Sequence, residues 1–470
     1  MRWLLISGGL LLGCAIVGCS AAPRIQAGAE RVEITPPVPT PYNLGVEEIA
    51  HRIADPLYAR MLYLEDDDDR VLLIAIDWEG LLRSAHDTVR EAVAESTGLA
   101  PEHIVVNASH THNAMWTNLD TQALLAEWGY QLVDREYFRN AVETIAAAAV
   151  RAIASKRPAQ LSAGSGELQN FAVNHRTGYV KPQDRARFNR KRKYPIGITD
   201  PTLGVVRIDD RSGTPIAVLH VFAAHATASA GSGVISGDYP GAAMRAVEER
   251  LGGRTVALFL QGCAGNTSPA PRLVGHSPAA VERAGKIFAE RAAQILDTSM
   301  EPLAADRFAF GVRQVTLPFV PLKDFGTLEA LEQAFVDAAT TYRARRERGQ
   351  TGGYEPMVAL ADRLTLARNL EAWSRYEIHA LRVGRLSMVF LPGEVFVEYA
   401  LELRERIDAD YVFVAAYNDS TPVYIPDAVA FEEGGYEVGP WCYSTPETGR
   451  VLVQAAVELA RSLDTGAEEQ

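Results

Sequence analysis

Short apolar runs alternate with amphipathic stretches along most of the chain. Residues 71–77 (VLLIAID) form one such run, and the acidic turn EDDDD before it predicts a hairpin with the segment ARMLYLE. Continuous apolar runs of this length are typical of strands that are covered on both faces. We expect further strands of the same kind at residues 103–108, 216–223, 256–261, 387–391 and 411–416.

Between these runs, apolar residues recur with the period of an amphipathic helix. Alternating strands and helices are typical of an α/β fold, so we expect mixed β-sheets flanked by helices. We place this domain at residues 29–465. The predicted helices cover residues 86–96, 139–155, 239–251, 278–296, 328–348 and 448–462.

The N-terminus has a different pattern: Arg2, then the uncharged run WLLISGGLLLGCAIVG, then Cys19. This predicts a secretory signal, and IVGC resembles a bacterial lipobox, in which the cysteine is lipidated. We therefore expect a signal peptide with lipobox at residues 1–19 and a short tether at 20–28. A lipid on Cys19 would anchor the protein to a membrane of the bacterial cell envelope, facing the periplasm or the exterior. A plain cleaved signal and an uncleaved anchor are the alternatives.

Composition narrows the class of protein. The sequence has 470 residues, 47% of them hydrophobic and 22% charged, which is typical of a folded chain. A formal net charge of −13 argues against nucleic acid as a partner, because phosphate binding needs surplus Lys and Arg. The basic run at residues 185–193 (RARFNRKRK) is interpreted as a solvated loop.

Cysteine usage limits the metal chemistry. Of the four cysteines, Cys14 and Cys19 belong to the predicted signal. Cys263 and Cys442 could form one disulfide, but we expect two separate buried thiols. A cysteine-based zinc site is excluded for want of ligands, so a metal would need His, carboxylate or Tyr ligands.

Polar residues cluster where the predicted strands end, which is where ligands bind in open α/β sheets. His110, His225 and Glu394 each follow a strand and could supply two histidines and one carboxylate to zinc. A single histidine at a strand end is more often a hydrogen-bonded loop residue, and the three gain weight together because each follows a buried strand. His112 is near enough in sequence to share the site, but it need not bind.

Seven segments resemble the neutral ceramidase family, secreted or membrane-associated zinc amidases that hydrolyse the N-acyl bond of ceramide. AERVEITPP is similar to the family's opening strand, and ASHTHNA to its THTHSG segment. VFAAHATAS with ISGDYPGAA resembles FAxHPTS with SSDNxGYA, and FLQGCAGNTSP the GDVSP region. LPGEVFVEYALELR resembles the PGE helix, and VYIPDAVAFEEGGYE the HYxTTxEEYxxQxYE loop. The resemblance implies a neutral-ceramidase-like catalytic domain.

The resemblance also implies a role for individual residues. His112 and Tyr436 correspond to residues that hydrogen-bond the scissile carbonyl region, and Arg176 to one that faces the polar end of the substrate. Ser268 falls on the serine of GDVSP: it is a covalent nucleophile or, as we favour because no adjacent base is visible, a hydrogen-bond partner of a zinc-bound water. A structural alternative is that Ser268 caps a turn. The implied Zn²⁺ ligands are His110, His225, Glu394 and Tyr424.

Departures from the family pattern bear on the substrate. The aspartate of GDVSP is Asn266 here, NRSP has become NHRTG, and SDN has become Gly237-Asp238-Tyr239. Family members carry a C-terminal immunoglobulin-like domain, and we expect this chain to hold the catalytic domain alone. The leading hypothesis is zinc-dependent hydrolysis of an N-acyl amide, with ceramide or a related N-acyl lipid as substrate. The alternatives are a zinc hydrolase of small soluble amides or lactones, and a non-catalytic envelope binding protein that has kept the fold.

Overall fold

The computed structural model of the protein describes residues 25–43, 45–304, 307–419 and 424–465. The predicted signal peptide and the lipidation site at Cys19 lie outside these residues. The first strand begins at Gln26, so residues 26–28 of the expected tether belong to the sheet, where Gln26 and Ala27 pair with strands on both sides. In the part of the chain that is described, no helix has both the length and the apolar composition needed to cross a membrane.

One mixed sheet dominates the described residues. Its thirteen strands are β1 (Gln26–Glu33), β2 (Tyr58–Glu65), β3 (Arg70–Ile76), β4 (Ile104–Ala108), β5 (Arg157–Glu167), β6 (Thr202–Asp210), β7 (Pro215–Phe222), β8 (Val256–Gln261), β9 (Glu301–Pro302), β10 (Phe308–Thr316), β11 (Arg375–Val383), β12 (Leu386–Pro392) and β13 (Tyr411–Asn418). Hydrogen-bonded neighbours follow the order β8-β7-β6-β5-β1-β2-β3-β4-β13-β12-β11-β10, and β9 pairs with β5.

Helices and short strand pairs complete the described chain. The helices are α1 (Arg83–Thr97), α2 (Leu119–Ala126), α3 (Arg135–Ala154), α4 (Pro182–Asn189), α5 (Asp238–Arg250), α6 (Pro278–Thr298), α7 (Leu328–Glu347), α8 (Glu355–Arg368), α9 (Leu370–Trp373), α10 (Val397–Arg406), α11 (Ala430–Glu433) and α12 (Thr448–Thr465). Short 3-10 turns cover Pro101–His103, His175–Gly178, Pro271–Leu273 and Tyr436–Val438. Outside the sheet, Thr40–Pro41 pairs with Ile49–Ala50, Arg52–Ile53 with Val234–Ile235, Gly80–Leu81 with Trp116–Thr117, Ala172–Asn174 with Thr267–Pro269, and Glu394–Val395 with Tyr424–Ile425.

Three parallel pairs are embedded in this otherwise antiparallel sheet: β3 with β4, β7 with β8, and β12 with β13. Parallel neighbours need a crossover connection, which is usually a helix. Here α1 connects β3 to β4, α5 connects β7 to β8, and α10 connects β12 to β13. The chain therefore contains three strand-helix-strand units. In each unit the two strands are parallel, so both have their C-terminal ends at the same edge of the sheet.

The sheet folds over so that its two halves face each other, and helices cover the outer faces. A Cβ added to Gly204 in β6 would lie 2.6 Å from the ring of Phe413 in β13, which shows how closely the halves approach. One apolar cluster between the halves includes Leu62 of β2, Leu219 of β7 and Leu258 of β8. Other clusters join the outer faces to the helices.

The predicted fold class is confirmed: the chain is α/β, with a mixed sheet flanked by helices. All predicted strands and helices are present with bounds that move by a few residues. The strand predicted at 103–108 begins at Ile104 because Pro101–His103 forms a 3-10 turn. Cys263 and Cys442 are free and buried, as predicted.

Candidate metal centre and active site

The three parallel pairs meet at the C-terminal ends of their strands. β4 and β13 pair through Asn107 and Asn418, close to the end of each strand. Gln261, the last residue of β8, donates its backbone N–H to Oδ1 of Asn107 at 2.9 Å. The next residue, Gly262, forms a bridge with Ala415 of β13. The segments that follow these strands therefore lie together, as expected for polar residues at strand ends.

Three donor atoms converge at this point from three strand ends. His110 follows β4, His225 follows β7, and Glu394 follows β12. Oε2 of Glu394 lies 3.4 Å from Nε2 of His110 and 3.3 Å from Nε2 of His225. A tetrahedral zinc ion with ligands at ~2.0–2.1 Å has donor atoms about 3.3–3.4 Å apart. The spacing of the three atoms therefore fits zinc.

Backbone carbonyls fix both histidine rings. Nδ1 of His110 donates to the carbonyl oxygen of Glu79 at 2.6 Å. Nδ1 of His225 faces two carbonyl oxygens of the loop after β8, at 2.8 and 3.0 Å. The proton is therefore on Nδ1, and each Nε2 presents a lone pair to the centre. Nε2 of His225 and Oε2 of Glu394 are buried and lack a hydrogen-bond partner among the described residues, which is unfavourable unless a cation occupies the centre.

The backbone at the centre is strained. His110 has φ of +61° and Tyr417 has φ of +59°, in the left-handed region that non-glycine residues rarely adopt. Their ring centroids are 4.5 Å apart. Burial raises the pKa of Glu394, but His110 and His225 outweigh it and bring that pKa below its ordinary value. Strained backbone conformations of this kind persist where the surrounding structure holds them in place. Here the left-handed conformation of His110 directs its ring toward the metal centre.

Tyr424 reaches the centre through a short parallel pairing. In the strand pair formed by Glu394–Val395 and Tyr424–Ile425, Glu394 is the register partner of Tyr424. The Tyr424 ring packs against that of Tyr436 with centroids 5.6 Å apart. Burial and then the Glu394 carboxylate hold the pKa of Tyr424 well above its ordinary value.

His112 lies beside the same donors. Its Nε2 is 3.2 Å from Nε2 of His110, and its Nδ1 is 3.5 Å from Oε1 of Glu79. The donor atoms of His110, His112 and His225 lie within 4.8 Å of one another. Burial and then the neighbouring histidines hold the pKa of His112 well below its ordinary value, and burial raises the pKa of Glu79 well above its own. A neutral His112 could act as a further nitrogen ligand or as a hydrogen-bond donor.

A cavity of about 240 Å³ opens above these residues. Its walls are polar and aromatic, formed by Asn43, Glu79, His110, His112, Trp116, Glu394, Tyr424, Tyr436 and Trp441. The segment from Tyr436 to Trp441 also borders an apolar groove of about 500 Å³, which includes Phe325, Leu360 and Val438. The cavity above the donor atoms, at about 240 Å³, is smaller than the ~300–1,000 Å³ that is usual for ligand sites.

Ser268 has a basic neighbour that sequence reasoning did not find. The strand Thr267–Pro269 pairs with Ala172–Asn174, which places Nδ1 of His175 3.0 Å from Oγ of Ser268. Nε2 of His175 lies 3.2 Å from the Tyr436 hydroxyl, and the two rings stack. Ser268 therefore lies in a strand next to an imidazole rather than at a turn before a proline.

Arg176 is directed away from this cavity. Its guanidinium donates to Oε2 of Glu437 at 2.7 Å and to Oε2 of Glu433 at 3.0 Å, and its side chain is buried. Gly435, with φ of +105°, permits this packing, because an added Cβ would lie 2.9 Å from Arg176 Nη1. Of the two adjacent residues, His175 contacts Ser268 and Tyr436. Arg176 instead donates hydrogen bonds to two glutamates of residues 432–437 (EEGGYE), which we call the acidic loop.

Two departures from the family pattern have structural roles. Asn266 donates from Nδ2 to Oε2 of Glu398 at 2.7 Å and accepts the backbone N–H of Val397 at 2.9 Å. Asp238 accepts the backbone N–H groups of Ala228 and Ser229, at 3.0 and 2.9 Å, and so fixes the loop that carries His225. These two side chains therefore hold in place the backbone segments next to the metal centre.

The basic run at residues 185–193 is not simply solvated. Lys191 pairs with Glu432, and Lys193 pairs with Glu405. Arg192 has a buried side chain that pairs with Asp427 and donates to Glu433 at 2.6 Å. The run therefore ties α4 and its following turn to residues 427–433 and, through Lys193, to Glu405 of α10.

Sequence reasoning missed four residues that form the site: Glu79, Asn107, His175 and Tyr417. Glu79 and Tyr417 follow or end apolar strands, so the signal that identified His110 was available for both. His175 offered only its position beside Arg176. Asn107 is a single polar residue inside an apolar run, and nothing in the sequence distinguishes it from a chance interruption.

The sequence of the chain matches a known protein family and several of its members. The model of the family described as neutral/alkaline non-lysosomal ceramidase, N-terminal, matches residues 33–278. Neutral ceramidase A of Dictyostelium discoideum is 25% identical over 228 residues, which cover 45% of this chain and 30% of that protein. Neutral ceramidase of Mycobacterium tuberculosis is 27% identical over 226 residues, covering 44% of this chain and 33% of that protein. The match spans about a third of the length of these curated relatives.

Solved structures share the fold. The crystal structure of neutral ceramidase from Pseudomonas aeruginosa has a TM-score of 0.72 at 20% identity and covers 95% of this chain and 76% of that chain. A structure described as ceramidase complexed with C2 has a TM-score of 0.73 at 19% identity with the same coverage. At this level of identity the similarity establishes the fold, which is the one the sequence motifs predicted.

Proposed function

Because the chain belongs to the neutral/alkaline non-lysosomal ceramidase family, we propose that it is a zinc-dependent hydrolase that cleaves an N-acyl amide bond. Residues 29–465 would form the catalytic domain. The observation that carries the proposal is the approach of Nε2 of His110 and His225 to Oε2 of Glu394 at 3.4 and 3.3 Å, with donor atoms that are buried.

The ligands that we propose for Zn²⁺ are His110, His225, Glu394 and Tyr424. When bound, zinc supplies a Lewis acid that polarises the scissile carbonyl and makes water acidic. Nδ1 of His110 and His225 remain protonated on backbone carbonyls, which keeps Nε2 available as the ligand atom. Glu394 supplies the negative charge that balances part of the charge of the cation.

The chain's own hydrogen-bond donors would act on the substrate. We assign His112 and Tyr436 as donors to the carbonyl oxygen, because both line the cavity beside the donor cluster. Such donors stabilise charge that develops on the oxygen in the transition state. Arg176 would act as a positioning residue: it holds Glu437 and Glu433, and through them the loop that presents Tyr436.

The substrate class has two candidates. The family and the relatives' names favour ceramide or a related N-acyl lipid. The 240 Å³ cavity favours a second candidate, a small soluble amide or lactone, because an acyl chain of lipid length needs room beyond it. For a lipid, that room would come from the apolar groove behind the segment from Tyr436 to Trp441.

The test is metal content and activity measured on the same preparations. Wild type, His110→Ala and the control His103→Ala are compared; His103 lies at the opposite end of β4 and contacts the backbone carbonyl of Arg70. We expect zinc in wild type and control, and zinc reduced by on the order of 10-fold or more in His110→Ala. Zinc absent from wild type supports a non-catalytic binding protein instead. Turnover of ceramide beside a panel of short N-acyl amides then separates the two substrate classes.

We also propose that the protein is a lipoprotein of the bacterial cell envelope, anchored through Cys19 and facing the periplasm or exterior. The support is the run WLLISGGLLLGCAIVG followed by Cys19. Incorporation of labelled fatty acid into wild type and its loss in Cys19→Ala is the expected result. Label that persists in Cys19→Ala would contradict the anchor and leave the hydrolase proposal unaffected.

A further inference from the structure

Ser268, His175 and Glu437 form a connected chain beside the metal centre. Nδ1 of His175 lies 3.0 Å from Oγ of Ser268. On the other side of the ring, Nε2 lies 2.7 Å from Oε1 of Glu437. The three side chains come from one short strand, Thr267–Pro269, and two 3-10 turns, His175–Gly178 and Tyr436–Val438, which are distant in sequence and meet in the fold.

The carboxylate fixes the proton on the histidine ring. Glu437 is 0% exposed, and its Oε2 accepts a hydrogen bond from Arg176 at 2.7 Å. Among the described residues, Oε1 has no hydrogen-bond partner, and Nε2 of His175 lies 2.7 Å from it and 3.2 Å from the Tyr436 hydroxyl. A proton on Nε2 offsets the charge of the buried carboxylate, so we place the proton there. With the proton on Nε2, Nδ1 carries a lone pair directed at the Ser268 hydroxyl.

We propose that Ser268 is a nucleophile, that His175 is its general base, and that Glu437 positions His175, which gives the protein an acyl-transfer activity on esters that needs no metal ion. This activity is separate from the proposed zinc-dependent amide hydrolysis. The arrangement follows the general requirement for an activated serine, namely a base within hydrogen-bond reach and a third group that orients the base.

The reaction balances with these groups alone. Oγ of Ser268 bonds to the ester carbonyl carbon while its proton passes to Nδ1 of His175. The carbon–oxygen bond to the alcohol breaks, and the alcohol takes that proton, which leaves an acylated serine. Water then attacks the acyl carbon with its proton moving to Nδ1, the bond to Oγ breaks, and Oγ recovers the proton as the carboxylic acid leaves.

Reagents can reach the chain of residues. The His175 side chain is 19% exposed, and Ser268 is half-buried. The stacked Tyr436 ring, which is exposed, lies between His175 and solvent on one side. An ester or a serine-directed reagent would therefore approach Oγ next to the cavity that Tyr436 lines.

The test uses full-length protein treated with EDTA, a fluorophosphonate reagent, and peptide mass mapping. We expect covalent labelling at Ser268 in the EDTA-treated protein, and its loss in Ser268→Ala. His175→Ala should slow labelling by on the order of 10²-fold or more. The matched controls are Ser212→Ala, in an exposed turn, and His103→Ala. In both variants Ser268 should be labelled at the wild-type rate.

Two further measurements separate chemistry from a folding defect. Free imidazole should restore labelling in His175→Ala, which a misfolded site would not permit. Glu437→Gln should lower the maximal labelling rate more than it weakens reagent binding, and Glu437→Asp should recover part of the rate. Absence of label on Ser268 in wild type, or equal rates in wild type and His175→Ala, overturns the proposal. Because EDTA is present throughout, either result is independent of zinc-dependent amide hydrolysis.

Discussion

Oδ1 of Asn107 accepts the backbone N–H of Gln261 at 2.9 Å. Nδ2 of the same side chain donates to the carbonyl oxygen of Ala416 at 2.5 Å. One side chain, 1% exposed, therefore ties the ends of β4, β8 and β13 together. These are ends from which His110 and the loops around the centre continue, so the position of the donors depends on this contact.

Asn107→Leu should destabilise the protein and weaken metal binding together. The change leaves the N–H of Gln261 without its side-chain acceptor, at a cost of roughly 1–3 kcal/mol, whereas the carbonyl of Ala416 keeps the donor Nδ2 of Asn418 at 2.9 Å. We expect a lower urea midpoint and a lower zinc content after dialysis. Asn140→Leu, on the exposed face of α3, is the control. A variant as stable as wild type would show that the strand ends are held by other contacts.

Strands buried on both faces were predictable because their apolar runs are continuous. β5, which lies between β6 and β1 in the sheet, was less predictable: it reads RPAQLSAGSGE, has few large apolar side chains, and most of its residues are exposed or half-buried. Its place in the sheet comes from pairing with β6 from Ala159 to Glu167 and with β1 through Arg157 and Pro158. Pairing of this kind is a long-range property that local pattern does not encode.

The sequence placed the polar clusters at strand ends, and the fold brings His110, His225 and Glu394 within hydrogen-bond range. Tyr424 entered through family resemblance, since its approach depends on pairing with Glu394 across a loop. His175 could not be found from pattern, because its partners on Ser268 and the acidic loop lie far away in the chain. Individual donors were thus predictable, and the hydrogen-bonded network around them was not.

His112→Asn should lower activity while the metal stays bound. His112 lines the cavity with its side chain 25% exposed, whereas His110 and His225 are buried. Losing one donor to the carbonyl oxygen typically costs on the order of 10²-fold in kcat. His110→Asn is the comparison and should lose zinc as well. If His112→Asn loses zinc to the same extent, His112 is itself a ligand and Tyr424 is the residue whose assignment must change.

Asn266→Asp, which restores the family residue, should destabilise this protein. Nδ2 of Asn266 donates to Glu398, and burial followed by Asp427 raises the pKa of Glu398 to about 7. The substitution sets a second carboxylate against the first. A protonated Glu398 can still donate to it, so we expect a small loss at pH 5.5 and a loss on the order of 1–3 kcal/mol at pH 8.

Thermal unfolding of wild type and Asn266→Asp at both pH values checks this. The double variant Asn266→Asp with Glu398→Gln provides the control, since a glutamine amide can donate to the new carboxylate at any pH. It should recover most of the stability lost at pH 8. An equal loss at pH 5.5 and pH 8 would point to lost packing rather than to repulsion between carboxylates.

Asp362 in α8 should make the protein less stable as pH rises from about 4 to about 7. Its Oδ1 accepts hydrogen bonds from Asn118 Nδ2, at 2.6 Å, and from the Thr121 hydroxyl, while Oδ2 has no partner among the described residues. Burial raises the pKa of Asp362 to about 7, above an unfolded value of ~3.9. The protonated carboxyl therefore stabilises the fold fully below pH ~4, and this contribution is lost as pH rises through the folded pKa.

Asp362→Asn should remove that dependence, because the amide stays neutral and keeps an oxygen for Asn118 and Thr121. A shift of about three units corresponds to about 4 kcal/mol at most, so the variant should gain up to that amount over wild type between pH 4 and pH 8. Urea unfolding of both proteins across this range gives the difference directly. Curves that run parallel would show that Asp362 is ionised in the folded protein, and that the two hydrogen bonds to Oδ1 outweigh its burial.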